Sequence, residues 1–487
     1  MSSATPSAAG AAGVPADVMA ETNANQARAA EPRASVWVSA NAGTGKTYVL
    51  TRRVLRLLLA GTEPDRLLCL TYTNAAAAEM SRRVFDKLAK WAVSPPTELA
   101  DALSALEGAP VEGDMLARAP TLFARAIEAP GGLKVQTIHA FCERLLQRFP
   151  LEAGVTPEFE IMDEDTQRRV LRQCIDQVLD SAANPRDVRL HTALTTAVAY
   201  AADGQFDALL DAVLRRRDTL ADLLQSEAGE PVAPDDRLGG IERQLRTGLG
   251  VGETATRSSL LAEQAGLITC DEAKRAATVL AQGTKTDVAR GVLLAAFSAE
   301  KNQGRRLTLL RDALLTAKLT PLARVITKKL SDAHPDVASM LEEARDTLAA
   351  LVQEDGAMAV VEATMAVMRL ADAIFQRYAE AKAQQAVLDY DDLISKTVAL
   401  LGRSQDAQWV LYKLDNGLEH ILVDEAQDTS PMQWRIVGRL AEEFFSGHGV
   451  SEHTRTLFAV GDKKQSIYGF QGARPEMFAR MGARFAA

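Results

Sequence analysis

Two short stretches carry residue types whose spacing suits phosphate chemistry. The first is Ala40-Asn41-Ala42-Gly43-Thr44-Gly45-Lys46-Thr47. Gly43 and Gly45 allow the backbone to curl so that successive N–H groups face one phosphate, and a helix starting near Lys46 adds its positive end. Lys46 would reach the β- and γ-phosphates of ATP, and Thr47 would ligate Mg²⁺. Ala40 stands where this pattern usually has its first glycine. The second stretch, Ile421-Leu-Val-Asp424-Glu425, ends an apolar run in two carboxylates. Asp424 would hold Mg²⁺, and Glu425 would take a proton from the water attacking the γ-phosphate. Read alone, one is a glycine turn before a helix and the other a common strand ending. Together, with a strand before the glycines and a helix after them, they point to nucleotide hydrolysis.

The elements that must position these residues are legible as alternating strands and helices. Ser35–Ser39 reads as a strand, followed by the glycine turn and a helical pattern through Leu55, Leu58 and Leu59 that stops at Gly61. Leu67–Tyr72 is a second apolar strand, with Asn74 as the expected cap of an alanine-rich helix over 75–91. Lys134–Ile138 leads into a helix containing Phe141, Leu145 and Leu146. Such alternation predicts an α/β fold with a parallel sheet covered on both faces. From about Asp163 to Gln385 long helical patterns take over, and strand signals resume at His420–Asp424 and Thr456–Gly461. The expected topology is one α/β domain interrupted by a large all-helical inserted domain. Its boundaries are a tail over 1–22, a first part over 23–162, the insertion over 163–385 and a second part over 386–487.

The chain has 487 residues, enough for two to four domains, and is 47% apolar and 24% charged, as ordinary globular proteins are. No apolar run approaches the length needed to cross a bilayer. Cys69, Cys142, Cys174 and Cys270 form no spacing that would hold zinc or an iron–sulfur cluster, and Met1–Ala34 lacks a secretory pattern. These features favour the cytoplasm. A net charge of −9 argues against wrapping nucleic acid by bulk charge, yet Ser35–Pro150 holds 14 Lys plus Arg against 11 Asp plus Glu. A nucleic acid is therefore expected to meet a local surface, best sought in the N-terminal third.

The phosphate loop, Leu70–Met80, Thr137–Cys142, Asp424-Glu-Ala-Gln-Asp428 and Val460–Tyr468 resemble, in order, successive motifs of UvrD/Rep-type superfamily 1 DNA helicases. Within that family, Trp37–Thr47 and Ile138–Pro150 are most similar to the N-terminal part of AddA. AddA is the helicase-nuclease subunit that works with AddB on double-strand breaks. The resemblance implies a RecA-like phosphate-loop domain using ATP and Mg²⁺, DNA as a partner in single-stranded form and at duplex ends, and an AddB-like partner subunit. It implies that Gln26 reads adenine, unless it is a solvated polar residue of the tail. It also implies that Gln427 and Gln465 sense the γ-phosphate. Tyr72, Tyr468 and Phe470 would stack on bases, which lets a motor grip a strand without reading sequence; as single residues they would suit a core equally. Thr73 and His139 would bind the phosphate backbone, with His139 as well suited to capping a helix. The acids of Leu388-Asp-Tyr-Asp-Asp-Leu-Ile394 suit a helix's first turn better than a metal.

Gln471 departs from the arginine of many UvrD-type members. The resemblance runs from about Asn23 to Phe485, so a second motor domain and a nuclease domain are absent from this stretch of sequence, and the chain by itself is expected to hydrolyse ATP slowly. The leading functional expectation is ATP-dependent 3′-to-5′ DNA unwinding in double-strand break repair. The alternatives are a nucleotide-dependent DNA clamp that does not translocate and a truncated reading frame without independent activity.

Overall fold

The computed structural model describes residues 16–41, 44–111, 113–201, 205–216, 220, 234–402, 409–410, 413, 418–445, 454–462 and 474–486. The chain forms two compact units, one from Met1–Glu164 with Lys382–Ala487 and the other from Asp165–Ala381.

The first unit is organised by a five-stranded parallel sheet of β1 (Val36–Ser39), β2 (Leu67–Thr71), β3 (Lys134–Thr137), β6 (His420–Val423) and β7 (Thr456–Gly461), in the order β1-β7-β6-β2-β3. Alternate residues of these strands enter different cores. Leu68, Leu70, Ile421, Val423, Leu457 and Ala459 face one cluster, with Phe141, Leu145, Leu393 and Trp434 from the covering helices. Leu67, Cys69, Leu422, Phe458 and Val460 face the other, with Leu50, Val54, Leu58 and Met80. Both faces are thus buried, which is why these strands read as continuous apolar runs. A short parallel pair, β4 (Glu160–Ile161) with β5 (Val387–Leu388), joins the two chain segments of this unit.

Helix boundaries follow local chemistry. The helix Lys46–Ala60 ends at Gly61, which adopts φ 106° and donates its N–H to Leu57 and Leu58 carbonyls. The helix Asn74–Val93 is capped by Thr73 and not by Asn74: Thr73 is the last extended residue (φ −120°, ψ 151°), and its side chain accepts from the Ala76 N–H. A helix spans Ala16–Ala29, reaching into the stretch read as a tail over 1–22; alanines and a basic last turn at Arg28 favour it. At Leu388–Ile394, Asp389 and Asp392 accept each other's backbone N–H at 2.9 and 3.0 Å. Lys382 donates to both carboxylates.

In the second unit the regular elements among the described residues are helices, with one isolated bridge between Leu315 and Pro321. The helix Pro335–Gln385 acts as its spine, giving Leu341 and Leu348 to one cluster, Val361 and Met365 to a second, Leu370 to a third and Ile374 to a fourth. No described helix is long and apolar enough to cross a membrane.

Candidate nucleotide site at the carboxyl edge of the sheet

The chemistry-bearing residues gather where parallel strands end, the usual place for a ligand in such sheets. Leaving β1, the backbone is tied to β7 by the Ala40 N–H on the Gly461 carbonyl at 3.1 Å. Asn41 offers its carbonyl to the Thr44 hydroxyl at 2.6 Å, closing the turn. Gly45 then adopts φ 85°, ψ 30° and precedes the Lys46 helix with no side-chain cap and no acid in the first turn. The first N–H groups of that helix therefore keep their positive field for an outside anion. Gln26 donates its amide to the Thr44 carbonyl at 2.9 Å, and a Cβ on Gly45 would lie 3.1 Å from that same amide nitrogen. The Gln26 side chain is thus seated on the turn. Ala42 and Gly43 lie outside the described residues, as do Gln465, Tyr468, Phe470 and Gln471.

Lys46 is buried, and its ammonium meets Glu425 Oε2 at 2.8 Å. Glu425 follows Asp424 at the end of β6 and sits at φ 46°, ψ 44°, left-handed backbone that costs a non-glycine residue about 1 kcal/mol or more. Gln427 donates its amide to Glu425 Oε2 at 2.9 Å, while its carbonyl oxygen accepts the Asp462 N–H at 2.8 Å. A Cβ on Gly461 would come within 2.7 Å of that oxygen, so the bridge requires glycine there. Asp424 accepts the Glu425 N–H at 3.0 Å. Burial, and then the Glu425 charge, push its carboxyl up to about 6, against the pull of that N–H and of Lys46.

Two adjoining carboxylates, one raised by burial and by its neighbour, form a donor set suited to a cation. Among the described residues no group of three or more His, Cys, Asp or Glu converges, so a divalent ion here would depend on Asp424, Thr47 and oxygens brought by a phosphate. Thr47 stands in the first turn of its helix, with its carbonyl accepting the Thr51 hydroxyl at 2.8 Å.

Residues expected to hold DNA are less uniform. Tyr72 is half-buried after β2, and Thr73 is exposed with its hydroxyl engaged as a cap. His139 does not cap its helix: Thr137 does, by accepting the Ala140 N–H at 3.2 Å. The His139 ring stands edge-on to Tyr390 at 5.6 Å, and burial lowers its pKa. Gly461 and Asp462 have no separate role in the motifs as read from sequence; a glycine closing an apolar strand is the signal that could have found them.

Among curated proteins, the chain is similar to an ATP-dependent helicase/nuclease subunit of Lactobacillus helveticus, 27% identical over 93% of this chain and 36% of that protein. The like-named protein of Exiguobacterium sibiricum is 28% identical over 94% of this chain and 37% of its own. That of Latilactobacillus sakei is 27% identical over 91% and 48%. The chain spans less than half the length of these relatives. The UvrD/REP helicase N-terminal domain matches residues 21–486, a span that takes in both the phosphate loop and the Asp424-Glu425 strand end. On that match the chain belongs to the UvrD/REP helicase family and carries its N-terminal domain.

Proposed function

We propose that this chain is the ATP-hydrolysing part of a DNA helicase that acts in double-strand break repair, of the AddA kind. The observation that carries the reading is the contact of Lys46 with Glu425 at 2.8 Å, where the turn after β1 meets the end of β6. The turn from Ala40 to Gly45, of which Ala42 and Gly43 lie outside the described residues, is proposed to cradle the phosphates, and Lys46 to bind the β- and γ-phosphates. An arriving γ-phosphate competes with Glu425 for the ammonium, which leaves Glu425 Oε2 available to accept a proton from the attacking water. Gln427 keeps that carboxylate oriented and, through the Asp462 N–H, passes a change at Glu425 to the end of β7. Asp424 and Thr47 are suited to hold Mg²⁺, which when bound neutralises charge on the phosphates. Gln26, already placed on the loop, reads adenine.

Tyr72 is proposed to stack on a base of single-stranded DNA. The finer reading is 3′-to-5′ unwinding in the cytoplasm together with an AddB-like partner, and it rests on the resemblance and on the names of the relatives. The test is binding of an oligo-dT strand by the chain with and without Mg·ATP, together with DNA-stimulated ATP hydrolysis. Nucleotide-dependent affinity is expected, weakened by about 1–3 kcal/mol in Tyr72→Ala. An affinity indifferent to both ATP and Tyr72 would contradict the proposal.

A further inference from the structure

A second cavity, of about 460 Å³, opens toward the opposite edge of the same sheet, where Lys134 begins β3 and Leu418 precedes β6. Strands of this length place it roughly 13–20 Å from the carboxyl-edge site. Lys134 and Gln136 alternate on one face of β3, and Phe141, Arg144, Leu145 and Arg148 recur on one face of the helix Ile138–Arg148. The wall is thus apolar at Phe141 and Leu145 and cationic at Lys134, Arg144 and Arg148, with Asp65 the opposing carboxylate. The Lys134 ammonium is bound by the Asp65 backbone carbonyl, not by its carboxylate.

Gln136 is only 7% exposed, lines the cavity, and its Oε1 has no hydrogen-bond partner among the described residues. A buried amide oxygen left in this way costs stability unless something else meets it. Four cations, Lys413 as well as Lys134, Arg144 and Arg148, line the cavity against one carboxylate and carry the same implication for an anion. Burial lowers the Lys134 pKa against the pull of the Asp65 charge, and Arg148 adds to the lowering.

We infer that this cavity binds a nucleoside phosphate: the phosphate against Lys134, Arg144 and Arg148, the base along Phe141 and Leu145, and the base edge on the Gln136 amide. The ligand is either a free nucleotide or one residue of a nucleic acid strand. The carboxyl-edge site plays no part in it.

The test uses the full chain carrying Lys46→Ala, which silences the other site, with labelled dTMP in equilibrium dialysis. One saturable equivalent is expected, weakened about tenfold or more by Arg144→Glu with Arg148→Glu, since both residues are exposed and two charge-assisted contacts are lost. Gln136→Leu should shift the preference among dTMP, dAMP, dGMP and dCMP, an effect that a merely electrostatic role of the cavity would not produce. Competition by an oligo-dT strand assigns the ligand to a strand, and its absence assigns it to free nucleotide; each supports the site. Absence of saturable binding, binding unchanged in the double variant, or equal competition by inorganic phosphate overturns the proposal.

Discussion

The two ends of the same neighbouring strands, β6 and β7, treat buried polar groups in opposite ways. At their amino ends His420 Nδ1 lies 2.7 Å from the Thr456 hydroxyl, which also accepts Arg53 Nη2 at 3.0 Å. His420 Nε2 is 3.3 Å from the Thr62 hydroxyl, and Glu419 pairs with Arg66. With Arg53 donating to it, the Thr456 hydroxyl is free to donate to the imidazole, an arrangement that suits a neutral ring. At their carboxyl ends two carboxylates adjoin in sequence, Glu425 holds an unfavourable backbone, and Asp424 is pushed up to about 6. One end pairs most of its groups, the Arg53 Nε excepted, and ties neighbouring strands together. The other leaves carboxylates crowded where a cation would relieve them, and strain of this kind concentrates at functional sites.

The comparison breaks if a carboxyl-end change acts mainly on stability or an amino-end change mainly on turnover. The largest effect is expected from Glu425→Gln, which keeps the volume and the Gln427 contact but loses the base. Its ATP turnover should fall by about 10²–10⁴-fold with nucleotide binding retained, as read by single-turnover hydrolysis beside calorimetric titration. Loss of binding instead would give Glu425 a different role.

At the amino end the expected effect follows pH. Burial, and secondarily Arg53, push His420 down to about 4, against 6.5 for an ordinary histidine. Between those values the unfolded chain takes up a proton that the folded chain refuses. The His420 contribution to stability is therefore complete above pH 6.5 and declines as pH falls toward 4, by at most about 3 kcal/mol, while Asp424, pushed up to about 6, acts in the opposite sense over the same range. Denaturant melts of the parent chain and of His420→Gln should therefore differ in slope, the parent losing more stability toward pH 4 than the variant does; identical profiles would contradict the assignment. The smallest effect belongs to Thr73→Ala, which removes a helix cap. It should cost about 1 kcal/mol of stability and leave the salt dependence of DNA binding unchanged, since the hydroxyl is engaged by Ala76. A salt slope reduced by one phosphate contact would restore the DNA role first expected of Thr73.

The carboxyl edge was legible because its signals are local. A glycine turn between strand and helix, or two acids ending an apolar run, carry their chemistry within a few residues of sequence. The parallel sheet was legible from the alternation of strands and helices along the chain. The amino-end network was not, because it joins Arg53 to Thr456 and Thr62 to His420 across hundreds of residues, and only the strand order β1-β7-β6-β2-β3 brings those pairs together. Capping at Thr73 and Thr137 was missed by a residue or two, since the change from extended to helical backbone decides the cap and composition alone does not locate it. The helical stretch was visible as a change of pattern near Asp163 and Gln385. The separate clusters described along its spine helix were not, because helical periodicity says which face is apolar and not what it packs against.

The central claim is that Lys46 serves phosphate chemistry and not the fold, and Lys46→Ala tests it by joint measurement of DNA-stimulated ATP hydrolysis and the thermal midpoint. Without Lys46, Glu425 keeps its Gln427 hydrogen bond and remains 37% exposed, so little stability should be lost. The account predicts hydrolysis reduced by about 10²–10³-fold or more with an unchanged midpoint. Hydrolysis at the parent rate, or a loss explained by a collapsed midpoint, would contradict it.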